Sequence, residues 1–223
     1  MSRSFAMWSG GKDSHYALVR ALQAGADCEL LVTFIDTETE LVMSHRLPPE
    51  LIEEQAGLMG ISLLKVRASY ATYERELRNT LFDIRSSGIT RGIFGDIYIR
   101  EHREFFERIV ADFDMRALFP LWGIPPHLLI EEQRRSMKST IIQIERELSE
   151  AYLGKLVTVE FIEYLLENGF DPCGENGEYH TFVGSSPLMH GEIVLTHADR
   201  RATPENIGLE IDYWKVEKKN AVG

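Results

Sequence analysis

A chain of 223 residues, 44% hydrophobic and 26% charged, has the composition of an ordinary water-soluble globular protein, with length for one large domain or a domain with a sizeable appendage. Its formal charge of −11 at pH 7 argues against generic binding to a nucleic-acid backbone, which needs a basic face, but leaves room for a local positive well around a nucleotide. Cys28 and Cys173 are too far apart in sequence to suggest a disulfide framework or a zinc site, no apolar run approaches the roughly 18–20 residues that span a bilayer, and no signal-peptide pattern precedes the first strand, so a cytoplasmic protein with no nucleic-acid or membrane partner is expected.

Residues Ser4–Trp8 read as a short buried strand that ends in a glycine pair. Ser14–Ala24 follows as a helix, with Ala17/Ala21 and Leu18/Leu22 paired at i,i+4 and Gly25 as its stop. Cys28–Asp36 holds the unbroken apolar run of a strand covered on both faces, and Pro48-Pro49 opens a helix that Gly60 ends. The alternation repeats: Leu63–Arg67 as strand, a helix striped by Tyr73, Leu77, Leu81 and Ile84 up to Gly88, then Gly92–Gly95 as strand. A helix striped by Phe106, Ile109, Val110 and Phe113 and a fifth strand at Ala117–Leu121 complete it. Alternating elements of this kind predict an α/β, doubly wound, five-stranded parallel sheet with helices on both faces.

After Pro125-Pro126 the rhythm changes. Leu128–Arg135 reads as helix, Thr140–Ile144 as a β-branched strand, and Thr158–Asn168 as a helix capped by Thr158 and stopped by Gly169. Short strands are expected near Ile193–Thr196 and Leu209–Val216 in a loop-rich remainder. The domains are placed at 1–124 and 125–223, the second a smaller α+β module.

The glycine pair between first strand and first helix lets the backbone approach a ligand, and the helix start adds unpaired N–H groups and the positive end of its dipole. With Lys12 as a mobile cation and the hydroxyls of Ser9 and Ser14, the loop Ser9-Gly10-Gly11-Lys12-Asp13-Ser14 has what is needed to hold a pyrophosphate. A surface turn capped by Asp13 is the plain structural alternative. The loop is not a Walker A motif, since Met7 and Asp13 stand where glycine and Ser/Thr are required, and it does not fit G-x-G-x-x-G.

A second dense cluster runs from Asp171 to Val183, Asp-Pro-Cys-Gly-Glu-Asn-Gly-Glu-Tyr-His-Thr-Phe-Val. On a strand, Glu178 and His180 would share a face and offer an acid and a base side by side. Spacing alone allows equally a polar hairpin with solvated charges.

Ser9–Ser14 resembles the Ser-Gly-Gly-x-Asp-Ser signature of the PP-loop ATP pyrophosphatases, a HUP-like, adenine nucleotide alpha hydrolase-like fold. Together with Gly174–Val183, Gly95-Asp96-Ile97, Phe119-Pro120-Leu121-Trp122 and Tyr152-Leu153-Gly154-Lys155, the chain resembles the diphthine–ammonia ligase family over residues 5 to 190. The resemblance implies Mg²⁺-dependent splitting of ATP into AMP and pyrophosphate, adenylation of a substrate carboxylate, and its amidation by ammonia. The acceptor in that family is a modified histidine on elongation factor 2. The stretch Glu101-His102-Arg103-Glu104-Phe105 departs from the family's Tyr-Gln-x-x-Arg, and the string Asp171–Glu178 is closer to bacterial relatives, which leaves a small-molecule acceptor open.

By that resemblance Ser9, Gly10, Gly11, Lys12, Asp13 and Ser14 hold the phosphates, with Asp13 either capping the helix or holding Mg²⁺. Thr33, Phe34 and Ile35 meet the adenine, and Gly95 and Asp96 face the α-phosphate, unless Asp96 is simply a helix cap. Arg103 is either a phosphate or carboxylate ligand or a solvated arginine; Glu175, Asn176 and Thr181 line the acceptor side. Lys12, Glu178 and His180 are the expected catalytic residues. The other six histidines, His15 and His102 among them, show no ligand spacing. A tRNA-thiolating PP-loop enzyme and a non-catalytic ATP sensor are the competing functions.

Overall fold

A computed structural model of the protein describes residues 2–218. The first half alternates strand and helix: β1 (Arg3–Met7), α1 (Lys12–Gln23), β2 (Asp27–Asp36), α2 (Pro49–Met59), β3 (Ser62–Ala68), α3 (Tyr73–Ser86), β4 (Arg91–Ile93), α4 (Arg100–Ala111) and β5 (Arg116–Leu118). The strands pair in parallel in the order β3-β2-β1-β4-β5. Right-handed crossovers then put α1 and α2 on one face and α3 and α4 on the other. On the α3/α4 face, Phe5 and Val32 share a buried cluster with Leu77, Leu81, Ile84, Ile109 and Val110. β3, at the edge, is the strand with the most exposed pattern.

Strand order reverses between β1 and β4, and in open α/β sheets ligands bind outside the carboxyl ends of the strands at such a switch point. β4 is held close to β1 by a missing side chain: a Cβ on Gly92 would lie 2.7 Å from the Phe5 ring and 2.8 Å from the Phe94 ring. α1 begins at Lys12, two residues before the expected Ser14, so Asp13 lies inside the first helical turn and not at the N-cap position.

The second half is built from α5 (Pro126–Ser136), β6 (Lys138–Glu145), a 3₁₀ turn at Glu150–Tyr152, α6 (Val159–Glu167), β7 (Tyr179–Ser185), β8 (Gly191–Ala202) and β9 (Asn206–Lys218). Its antiparallel sheet has the order β7-β6-β9-β8. The Thr158 hydroxyl accepts the Phe161 amide at 3.4 Å and caps α6, and Phe161 then packs edge-on to Tyr179 with ring centroids 5.0 Å apart. β8 and β9 are far longer than the short strands expected near Ile193 and Leu209, and pair from Gly191–Lys218 to Ala202–Ile207.

By contact the chain divides into two units. One holds the chain up to Ser9 together with Asp13–Gly123; the other holds Gly10–Lys12 together with the chain from Ile124 onward. No helix among the described residues is long and apolar enough to cross a membrane.

Candidate functional site

In the first unit, Ser9 and Ser14 face each other as β1 gives way to α1. Their hydroxyl oxygens are 3.0 Å apart, and the Ser9 amide lies 3.4 Å from the Ser14 hydroxyl. Trp8, the residue before the loop, donates its indole N–H to Gln55 at 3.0 Å and packs on the His15 ring at 4.8 Å. His15 is fully buried, and burial pushes its pKa down to about 3, so it is neutral. Spacing rules gave no reason to single out Gln55 or His15, because their partner is an aromatic ring at the end of a strand.

β4 brings Gly95 and Asp96 to this edge. A Cβ at Gly95 would stand 2.9 Å from the Ser14 amide nitrogen and 3.0 Å from the Asp13 carbonyl carbon, so only glycine lets the β4 exit approach the first turn of α1. Asp96 follows, largely buried, its Oδ1 3.4 Å from His102 Nδ1. Burial holds its pKa above the ordinary carboxyl value, His102 opposes that shift, and the Asp13 charge adds to it. Tyr73, half-buried nearby, is pushed up to about 12 by loss of solvent around its hydroxyl and by the Asp96 charge. His102, which shows no ligand spacing in the sequence, thus places its imidazole beside Asp96.

Thr33, Phe34 and Ile35 are buried, and β2 continues to Asp36 with all three residues paired to β3. The Phe34 carbonyl accepts the Met43 amide at 2.9 Å. Arg103 lies elsewhere in the unit: its guanidinium stacks over Trp122 at 4.7 Å and Phe119 at 5.3 Å, and its Nε donates to Glu107 at 2.7 Å.

Within the second unit, the glycine-pair segment is tied to β7. The Val183 amide donates to the Gly10 carbonyl at 3.0 Å and the Lys12 amide to the Thr181 hydroxyl at 3.1 Å. Lys12 is not the mobile cation expected from sequence. It is 3% exposed, its ammonium donates to the Cys173 carbonyl, and it lies 5.1 Å from the centre of the Tyr179 ring. A buried ammonium needs such acceptors.

The Asp171–Glu178 segment is closed by its own carboxylates. Asp171 accepts the amides of Cys173 at 3.1 Å and Glu175 at 2.8 Å. Glu178 accepts the Asn176 amide and side-chain nitrogen, both at 3.1 Å, and the Asp171 amide at 3.4 Å. Gly174 has φ +67°, and a Cβ there would meet the Tyr179 ring at 2.7 Å. Glu178 is therefore buried and committed to three N–H groups, whereas His180 is half-buried on β7 opposite Gln143. Asn176 is exposed and Glu175 half-buried.

Both thiols are shielded. Cys28 is pushed up to about 12, chiefly by burial, and Cys173 is buried with its Sγ 3.3 Å from the Pro126 carbonyl.

A family model described as the diphthamide synthase N-terminal domain matches residues 2–117, and one described as the diphthamide synthase C-terminal domain matches residues 125–216. The diphthine–ammonia ligase of Mus musculus is 26% identical over 226 residues, which cover 88% of this chain and 84% of the relative. The diphthine–ammonia ligase of Homo sapiens is 25% identical with the same coverage. A solved structure from Methanocaldococcus jannaschii, described as a predicted subunit of tRNA methyltransferase, aligns with a TM-score of 0.47 at 16% identity over 84% of this chain and 98% of that one.

Proposed function

Because the chain belongs to the diphthamide synthase family, we propose that it is an ATP-dependent carbon–nitrogen ligase that splits ATP between the α and β phosphates. A carboxylate oxygen of the acceptor attacks the α-phosphorus, the bond to the β-phosphate oxygen breaks, and pyrophosphate leaves. The nitrogen of ammonia then attacks the acyl carbon of the adenylate, AMP departs with the bonding pair, and a primary amide remains. The acceptor class is a carboxylate, either on a modified histidine of elongation factor 2 or on a small molecule.

The observation that carries this reading is the packing of Gly95 on the first turn of α1, which sets Asp96 beside the loop residues Asp13 and Ser14. Backbone N–H groups and the hydroxyls of Ser9 and Ser14 at a helix start favour a phosphate chain. Asp13 and Asp96 offer hard oxygen donors, and the Asp13 charge makes the ionised form of Asp96 costlier until a cation neutralises it, a donor set that fits Mg²⁺. When bound, that ion supplies charge neutralisation for the departing pyrophosphate. Gly10, Gly11 and Lys12 complete the phosphate contacts, which requires the Lys12 ammonium to exchange the Cys173 carbonyl for a phosphate oxygen. Thr33, Phe34 and Ile35 are assigned to the adenine, and Glu175, Asn176, Thr181 and Arg103 to the acceptor.

Of the two candidate bases, His180 is the better placed to take the proton released when ammonia adds, since both oxygens of Glu178 are already engaged by N–H donors. The shielded thiols weigh against sulfur transfer of the tRNA-thiolating kind, which needs a reactive thiolate.

The experiment is turnover of Mg²⁺-ATP with ammonium and a panel of carboxylic acids, with nucleotide products resolved by chromatography. AMP and pyrophosphate are expected. ADP and phosphate would overturn the assignment, and absence of turnover with every acceptor, elongation factor 2 included, would leave only ATP binding.

A further inference from the structure

The first unit also holds a cavity of about 480 Å³ that shares only Arg103 with the residues proposed for the ATP chemistry. Arg20 of α1, Arg91 of β4 and Arg103 of α4 all line it, with Glu107 as the one carboxylate among the lining residues. Ala24 and Ala26 stand just before β2, and Arg91 is the first residue of β4, so this part of the cavity opens at the amino ends of the strands. Ser9, Gly95 and Asp96 follow the carboxyl ends of β1 and β4.

Three arginines around one hollow run against the character of a chain whose formal charge is −11. Arginine side chains lining one hollow can offer an anion charge-assisted hydrogen bonds from several sides. Arg103 is held in a fixed plane by its stack on Trp122 and Phe119 and by its Nε bond to Glu107, so its remaining N–H fork is pre-aimed. Arg91 is half-buried, its backbone is paired in the sheet, and its side chain makes no hydrogen bond or ion pair among the described residues. The floor is made by short side chains, Ala21 and Ala117 among them, which is why a hollow exists between α1 and β5 at all.

Positive rim, short apolar floor and volume together select the ligand. A lone carboxylate would satisfy one guanidinium fork; a phosphate has oxygens for several. A hollow of this size is in the range that takes small organic molecules, about 300–1,000 Å³. We infer that this cavity is a second ligand site, taking a small organic phosphate on a body of up to nucleotide size. It goes beyond the ATP reading of the loop and stands without it.

The test is calorimetric titration of the full chain with ribose 5-phosphate, in the presence of saturating α,β-methylene-ATP to fill the phosphate loop. One ribose 5-phosphate is expected to bind per chain. Arg20→Gln and Arg91→Gln, which keep a polar side chain but remove the guanidinium and its charge, should each weaken it roughly tenfold, as for one charge-assisted hydrogen bond, and leave the affinity for α,β-methylene-ATP unchanged. Unchanged ribose 5-phosphate affinity in the double variant overturns the proposal, as does the absence of binding to the wild-type chain. Binding confined to a 5′-phosphorylated RNA oligonucleotide overturns it too. If α,β-methylene-ATP itself fails to bind, the loop reading fails, while the two arginine variants still report on the cavity. Melting curves matching wild type establish that the variants are folded.

Discussion

Asp96 and His102 are 3.4 Å apart, a buried carboxylate at the exit of β4 and a largely exposed imidazole on the first turn of α4. An exposed imidazole contributes little as an ion-pair partner. Burial therefore dominates, and the Asp96 pKa stays above its ordinary value.

A raised carboxyl pKa means that the ionised form costs stability in the fold. Once pH exceeds the unfolded value, the unfolded chain ionises first and the native state loses ground until its own carboxyl ionises. Asp96→Asn is expected to raise the melting temperature at pH 7, with the advantage fading as pH falls below the ordinary carboxyl range. The same variant should lose ATP turnover by at least roughly tenfold if Asp96 holds the divalent ion. A melting series across pH and an AMP-release assay check the two halves separately.

His15 gives the opposite pH signature. Its pKa falls from an ordinary 6.5 to about 3 on burial, so the unfolded state takes up the proton first as pH drops and stability is lost across that window. His15→Phe keeps a ring against Trp8 and removes the titration. Its melting temperature should depend less on pH between 6.5 and 3 than that of the wild type, and a parallel pH dependence would show that His15 does not titrate as described.

Gly95→Ala places a methyl group 2.9 Å from a backbone nitrogen of α1, where no flexible side chain can give way. Overpacking of this kind costs about 1–3 kcal/mol. The first turn of α1 has to shift, and ATP affinity measured by calorimetry should fall more than the stability of the fold measured by denaturant.

Lys12→Met keeps an apolar stem beside Tyr179 and leaves the Cys173 carbonyl without that donor. Loss of a buried partner is expected to cost about 1–3 kcal/mol. Turnover should collapse while denaturant unfolding shows only that modest loss. Turnover at the wild-type rate would limit Lys12 to its structural contact.

The doubly wound sheet was legible because its signals are local: apolar runs such as Leu30–Ile35 and glycine stops such as Gly60 each sit within a few residues of the element they define. The family resemblance was legible for a similar reason, since short motifs carried it and the family models match both halves. The long β8–β9 hairpin was seen only in fragments. Much of it, such as Asp199–Arg201 and Glu210, is charged and not buried, so the alternation that marks a half-buried strand is missing. The setting of Lys12 was hidden because its carbonyl partner lies 161 residues away. Glu178 read as a base by its neighbours in sequence, and only the folded segment shows amides from Asp171 and Asn176 converging on its carboxylate.

The space at Gly92 is occupied by the Phe5 and Phe94 rings, and nothing about the backbone there demands glycine. Positions 5 and 92 should accordingly vary as a pair across natural relatives. A homologue with alanine at 92 is expected to carry a smaller residue at 5, and one that keeps phenylalanine there is expected to have changed the spacing of its two central strands.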